Sequence, residues 1–104
     1  RILIMIIAIV KAAIKEGKHQ KLREIANILQ HEYAPHEVGC EQYESFIDGN
    51  AFITIERWSD QTSVDIHLAA PHVAEYVPKL RECVEGGCFD VQFIESDKVS
   101  LTRI

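Results

Sequence analysis

The sequence has no apolar run long enough to cross a membrane. Its longest such run is the nine residues from Ile2 to Val10, whereas a spanning helix needs about 20. A secretory signal has a shorter apolar core, but a cleavage site should follow it. Here the run leads through Lys11 and Lys15 into a helical pattern. We therefore expect neither a membrane partner nor an export signal, and Met5 is a candidate natural start.

Positive charge is also scarce. Eleven Lys and Arg residues stand against sixteen Asp and Glu residues, which gives a net charge of −5. Because nucleic-acid-binding proteins usually present a basic face, this balance argues against a nucleic-acid partner. The sequence also lacks a glycine-rich phosphate loop and any internal repeat.

Cysteine is present only as Cys40, Cys83 and Cys88. An odd number without close CxxC spacing favours free thiols in a reducing compartment, so a cytoplasmic location is expected. A pairing of Cys83 with Cys88 across the intervening glycines remains an alternative. No zinc-ligand spacing is present, and the sequence predicts no metal site.

At 104 residues the chain forms a single domain over residues 1–104. A domain of this size buries only about 60–70% of its unfolded surface, so its core is modest. It cannot easily build both a stable core and a roomy pocket, which points to a second subunit.

The first half of the chain predicts a strand, a helix and a hairpin. In Ile2–Ile14 the odd-numbered and the even-numbered residues are both mainly apolar, which is typical of a strand buried on both faces. Lys18–Tyr33 has helical period, and Ala34–Gly39 is a connecting loop. Strands Cys40–Ile47 and Ala51–Trp58 then flank Asp48 and Gly49, a hairpin signal.

The second half predicts two helical segments and a last strand. Ser59 or Asp60 can cap a helix that carries Val64, His67 and Leu68 on one face. Pro71 suits the start of the next helix, and Pro78 predicts a kink or a later start. The last predicted strand and a short extra strand in the tail rest on alternating apolar residues: Phe89, Val91 and Phe93, then Val99 and Leu101.

The predicted order β-α-β-β-α-β is that of an α+β, ferredoxin-like fold with a four-stranded antiparallel sheet and helices on one face. Its first strand is central, yet that strand is apolar on both sides. We expect the bare face to be covered by the same sheet of a second copy, giving a homodimer. The alternative is a strand with one partly exposed apolar face.

Several residues point to acid–base chemistry. Glu56 occupies the same set of alternating strand positions as Phe52 and Trp58 and should lie on the same face as these two rings. Burial there should raise the pKa of Glu56 unless a cation or hydrogen bond offsets this. His67 lies on an apolar helix face and should point at the sheet. His72 begins the next helix, where the dipole disfavours added positive charge. A neutral histidine near a carboxylate suits proton abstraction near pH 7.

Tyr43 and Tyr76 add phenols that could bind a polar edge or stack on a ring. The structural alternatives are that His67 is a packing residue, that Glu56 pairs with a nearby cation, and that Trp58 belongs only to the core.

Three segments in order resemble the antibiotic biosynthesis monooxygenase (ABM) domain family. They are Gly39-Cys40-Glu41-Gln42-Tyr43, then Glu56-Arg57-Trp58-Ser59, then His67-Leu68-Ala69-Ala70-Pro71-His72, followed by Tyr76. The resemblance covers about Met5 to Phe93, with a core at about 5–94. It leaves 95–104 as a tail that could cross to a partner subunit.

The resemblance implies a dimeric α+β barrel. Members of the family include cofactor-independent oxygenases acting on quinols and polycyclic aromatic compounds, autoinducer-2 processing proteins and haem-degrading enzymes. If the protein resembles the oxygenases of the family, no cofactor is required, because the deprotonated substrate itself reduces O₂. Haem degradation is not expected: those members use an Asn on the first strand, which this strand lacks, and a Trp where His67 stands.

Carried onto this chain, the resemblance implies that His67 is the base, oriented or charge-balanced by Glu56. His72 would bind a substrate oxygen. The remaining substrate-binding residues would form the ring pocket: Trp58, Tyr43, Tyr76 and Phe52. Two alternatives stay open, namely a proton-transfer enzyme or isomerase of the autoinducer-2 type and a non-catalytic dimer that binds a small ligand.

Overall fold

Four strands form one antiparallel sheet in the computed structural model, which describes residues 3–104. They are β1 (Met5–Ala13), β2 (Cys40–Asp48), β3 (Ala51–Trp58) and β4 (Asp90–Ser96). The spatial order β2-β3-β1-β4 places β1 in the centre. This topology confirms the predicted ferredoxin-like fold. Ile2, which the prediction included in the first strand, lies outside the described residues.

Three α-helices accompany the sheet: α1 (His19–Asn27), α2 (Gln61–Leu68) and α3 (Pro71–Arg81). Helix α1 continues without a break into a π-helix over Ile28–Tyr33 and a 3₁₀ turn over Ala34–His36. The predicted helix Lys18–Tyr33 is therefore helical nearly throughout, but its second part has wider turns. A second 3₁₀ turn spans Glu85–Gly87.

The predicted hairpin is confirmed. Asp48 pairs with Ala51, and Gly49 adopts a positive φ of 58° in the turn between them. Residues that carry a Cβ atom rarely adopt a positive φ, which explains why glycine occupies this position. The hairpin fixes the register in which Tyr43 lies opposite Glu56 on the same sheet face.

The two faces of the sheet differ in burial. On the side facing the helices, β3 presents Phe52 and Trp58, which are almost completely buried together with core residues of α1 and α2. The opposite face presents Ile7 and Ile9 of β1 and Ile55 of β3, which are only partly buried. The central strand thus has apolar side chains on both faces, as its sequence predicts.

The prediction for Pro78 is wrong in one respect. Helix α3 begins at Pro71 and runs through Pro78 to Arg81, rather than starting near Pro78. The proline removes one backbone donor, but Leu80 is buried in the main core. Tertiary packing of the helix therefore outweighs the local penalty.

The predicted strand at Val99 and Leu101 is also wrong. Residues 97–104 form no strand, and Leu101 is 88% exposed. Two alternating apolar residues are too few to define a strand without a neighbouring edge to pair with.

The three cysteines are free thiols, so Cys83 and Cys88 are not paired. Among the described residues, every helix is too short or too polar to span a bilayer.

Candidate functional site

A cavity of about 290 Å³ lies between the sheet and the helices. Five of the predicted site residues line it: Tyr43, Phe52, Glu56, Trp58 and His67. Most of the remaining wall is aliphatic or aromatic. Leu68 and Phe93 also line the cavity and are more than half exposed, so its mouth lies beside them. Its volume is near the lower end of ordinary ligand pockets, about 300–1,000 Å³.

Glu56 and Trp58 form one buried unit on β3. The alternation of a strand places residues two apart on the same face, and here the indole Nε1 of Trp58 donates a hydrogen bond of 3.0 Å to Oε1 of Glu56. Burial raises the pKa of Glu56, and the Trp58 hydrogen bond and the nearby His67 partly offset this rise. The predicted desolvation of this carboxyl group is confirmed.

His67 points at the sheet, as predicted. Its ring centroid lies 4.4 Å from that of Trp58 and 6.2 Å from that of Tyr43. Its Nδ1 lies 2.6 Å from Oε1 of Glu37, so the hydrogen bond that orients the imidazole comes from the 34–39 loop. The resemblance implied that Glu56 orients or charge-balances His67. The orienting hydrogen bond comes from Glu37 instead, while Oε1 of Glu56 accepts from Trp58 and its carboxyl group still interacts electrostatically with His67.

His72 lies on the other side of the same carboxylate. Its Nε2 is 3.2 Å from Oε1 of Glu37, but the orientation of the ring relative to this oxygen does not allow a hydrogen bond between the two atoms. Within residues 3–104 this buried nitrogen has no hydrogen-bond partner. The ring stacks on Tyr33, with centroids 4.4 Å apart and planes 12° from parallel. His72 is not among the residues that line the cavity.

Tyr76 also lies away from the cavity wall. Its ring centroid is 5.8 Å from that of Tyr33, and the ammonium group of Lys79 lies 5.1 Å above its ring. The structure therefore divides the predicted site residues into a cavity group and a second group behind Glu37, which contains His72 and Tyr76.

Gly39 brings the 34–39 loop close to α2. It has a positive φ of 73°, and a Cβ atom at this position would overlap Oγ of Ser63. The backbone N–H of Ser59 donates to the Gly39 carbonyl at 2.8 Å, and Asp60 caps α2 by accepting from the Ser63 N–H at 2.8 Å. This close approach holds Glu37 within reach of His67.

Two further groups near the cavity stay protonated. Burial, reinforced by the negative charges of Glu56 and Glu37, raises the pKa of Tyr43 far above its ordinary value. Burial and the same carboxylates raise the pKa of Cys40 to about 11. Tyr43 is therefore a hydrogen-bond donor at neutral pH, and Cys40 is not a thiolate nucleophile.

Comparisons with known proteins identify the family of this chain. The family model described as antibiotic biosynthesis monooxygenase matches residues 5–79. The chain belongs to the ABM family. A solved structure of an antibiotic biosynthesis monooxygenase is similar to this ABM domain at 26% identity and a TM-score of 0.74, over 91% of this chain and 99% of that one.

Two further structures share the fold of this ABM domain. A conserved protein from Methanosarcina mazei has 24% identity and a TM-score of 0.81, over 88% of this chain and 92% of that one. A protein from Shewanella oneidensis has 24% identity and a TM-score of 0.78, over 88% and 90% of the two chains. The comparison with curated proteins finds no match.

In this ABM domain the first of two residues that the sequence did not predict is Glu37. It lies in a short loop without periodicity, and nothing in its sequence neighbourhood marks it as a partner of His67. Tyr33 was not predicted for a different reason. It stacks on His72 from the end of the π-helix, and the wider turns of that helix set the direction of its ring. Together Glu37, His67 and His72 place three ligand-type atoms within 4.8 Å of one another, which is the geometry of a candidate metal site.

Proposed function

We propose that this ABM domain is a cofactor-independent monooxygenase that oxidises a small quinol-like aromatic substrate with O₂. The observation that supports it is the position of His67. One ring nitrogen is held by a partly buried carboxylate at 2.6 Å, while the ring itself forms part of an apolar cavity. This is the arrangement of a general base that removes a proton from a bound substrate.

In the proposed reaction, Nε2 of His67 accepts the proton of a substrate hydroxyl group. Glu37 stabilises the imidazolium that forms, through the hydrogen bond at Nδ1. The substrate anion then supplies all four electrons that reduce O₂. One oxygen atom forms a C–O bond to the ring, the other leaves as water with two hydrogen atoms of the substrate, and the quinol becomes a hydroxyquinone. The phenol of Tyr43, which remains protonated, can donate a hydrogen bond to the anionic oxygen.

The cavity suits a small aromatic ring better than a large one. Its volume is about 290 Å³, and its walls are mainly apolar side chains. Trp58 forms part of the wall, and aromatic rings stack on such a surface with a gain of about 0.5–1.5 kcal/mol beyond burial. A one-ring or two-ring quinol therefore fits the proposal better than a larger polycyclic compound.

Oxygen uptake with a series of quinols tests this proposal. We expect His67→Ala to lower kcat at least about tenfold, since loss of a general base usually costs a factor of about 10²–10⁴. His31→Ala is the matched control, because His31 is an exposed histidine outside the cavity lining. Equal oxygen uptake by His67→Ala and the wild type would remove His67 from the mechanism.

The same assay separates the alternatives. Turnover that continues without O₂ would favour a proton-transfer enzyme or isomerase. Tight binding of quinols without turnover, unchanged by His67→Ala, would favour a non-catalytic ligand-binding protein. The free thiols are consistent with the proposed cytoplasmic location.

We also propose that the protein is a homodimer through the open face of the sheet. Ile9 and Ile55 face each other there across β1 and β3 and are only partly buried within one chain. Sheets pack face to face when such surfaces meet. Ile55→Lys should halve the sedimentation mass, whereas Ile66→Lys, on the exposed surface of α2, should not. A wild-type mass near 12 kDa would contradict the dimer.

A further inference from the structure

We propose that Glu37, His67 and His72 bind one divalent first-row transition-metal ion, such as Zn²⁺, at the back of the cavity. The three ligand atoms are Oε1 of the glutamate, Nδ1 of His67 and Nε2 of His72. This site goes beyond the proposed function and does not depend on it.

The ligand set has the composition of known metal sites. Two imidazoles and one carboxylate occur in catalytic zinc centres and in non-haem iron centres, with the remaining coordination positions open. Neutral imidazole suits zinc, copper, nickel and iron, whereas magnesium and calcium prefer oxygen alone. The chemistry of these three side chains therefore selects a first-row transition metal over a hard cation.

The distances are close to those that a metal requires. Bonds of about 2.0–2.1 Å in tetrahedral geometry place ligand atoms about 3.3 Å apart. Oε1 of Glu37 already lies 2.6 Å from Nδ1 of His67 and 3.2 Å from Nε2 of His72. The three atoms lie within 4.8 Å of one another, so binding requires movements of no more than about 1.5 Å.

Both imidazoles are held in place before any ion binds. The His67 ring packs on Trp58, and the His72 ring stacks on Tyr33. Each of the three ligand side chains is only 11–12% exposed. Fixed and partly buried ligands lose little conformational entropy on binding, which favours a specific site over a surface contact.

The nitrogen of His72 supports the same conclusion. Nε2 is buried and has no hydrogen-bond partner among the residues that the structure describes, although Oε1 of Glu37 lies 3.2 Å away. Buried polar atoms usually have a partner, and a cation between this nitrogen and the carboxylate would supply one. The N-terminus of α3 opposes a positive charge near His72, but the Glu37 carboxylate, which would touch the ion directly, offsets that effect.

Calorimetric titration of the metal-free protein with Zn²⁺ tests the site. We expect saturable binding of one ion per chain. Glu37→Gln and His72→Asn should each weaken the affinity at least about tenfold, since even indirect partners of metal ligands contribute factors of about 10–100. His36→Asn is the matched control, because it removes an exposed imidazole next to Glu37 and should leave the affinity unchanged.

Three results would overturn the proposal. They are an absence of saturable binding in the wild type, equal affinity in all four proteins, and a loss of affinity in His36→Asn alone. Should either ligand variant fail to fold, zinc-edge X-ray absorption of the wild type counts the imidazole ligands. Two are expected, and a spectrum with none or one would contradict the site.

The titration measures binding alone, so its result is independent of whether the protein oxidises quinols. A bound ion would replace the proton between His67 and Glu37. The metal-bound state and the proposed base-catalysed state are thus mutually exclusive states of the same residues.

Discussion

Glu37 and Glu56 are two partly or fully buried carboxylates near the same histidine, but they are held in different ways. Glu56 lies on a strand, and its hydrogen-bond partner, Trp58, is two residues away in the sequence. Glu37 lies on a loop, and its partner His67 is 30 residues away. The first pair follows from strand geometry, whereas the second exists only because two distant segments pack together.

This difference separates two roles. Glu56 is surrounded by the buried side of the sheet, and burial dominates its pKa. Glu37 lies 2.6 and 3.2 Å from two imidazoles, so it is the carboxylate that can stabilise an imidazolium or hold an ion. The predictions below change one carboxylate or its support at a time.

Among the variants that change a carboxylate or its support, the largest effect is expected for Glu37→Gln. The amide keeps the shape of the side chain but loses the charge that stabilises protonated His67. We expect kcat for quinol oxidation to fall about 100-fold, equivalent to about 2.7 kcal/mol. The control is Glu41→Gln, at an exposed glutamate. An equal kcat in Glu37→Gln and the wild type would mean that Glu37 does not assist the base.

Gly39→Ala should displace the loop that carries Glu37. The new methyl group would overlap Ser63, and the backbone would have to keep a positive φ. We expect the free energy of unfolding to fall by about 2 kcal/mol or more, measured by urea denaturation.

Gly17→Ala is the matched control for Gly39→Ala. Gly17 also has a positive φ, of 78°, but an added Cβ would meet no atom within 4 Å. Its cost should therefore be backbone strain alone, about 1 kcal/mol. Equal losses in the two variants would show that contact with α2 does not limit the loop.

Trp58→Phe should act on Glu56 and leave Glu37 largely unaffected. The variant removes the indole donor from a buried carboxyl group, which should cost about 1.5 kcal/mol of stability. Because that hydrogen bond lowers the pKa of Glu56, its loss should raise the pKa further. NMR titration of the Glu56 carboxyl carbon measures this rise, and an unchanged or lower pKa would contradict it.

The smallest effect is expected for Glu56→Gln, and it should depend on pH. The pKa of Glu56 is raised in the folded protein above its ordinary value of 4.5. The folded state therefore holds this proton more tightly than the unfolded state, and the wild type loses stability as pH rises from about 4.5 through the folded pKa. Glu56→Gln should lack this loss, so it should gain stability relative to the wild type between pH 4 and neutral pH.

Thermal unfolding across this pH range checks the prediction. Glu44→Gln serves as the control, because Glu44 is exposed on β2 and faces away from the cavity. A difference between Glu56→Gln and the wild type that stays constant with pH would show that the carboxyl group does not titrate differently in the two states.

Much of the fold could be predicted because its signals are local. The hairpin follows from Asp48 and Gly49, and the start of α2 follows from Asp60, whose side chain accepts from a backbone N–H three residues later. The π-helix after Asn27 could not be predicted, because its apolar spacing resembles that of an α-helix. Pro78 misled the prediction of α3, since packing of Leu80 is a tertiary effect.

The sequence by itself determined the order of the strands and helices and directed Glu56, Trp58 and His67 into the space between the sheet and the helices, because strand and helix periodicity assign side chains to faces. Only the tertiary structure decided which carboxylate His67 contacts and where His72 lies. Those contacts depend on a loop that passes close to α2, which Gly39 permits because it has no side chain. Contacts between residues 30 or more positions apart have no periodic signal, and packing alone selects them.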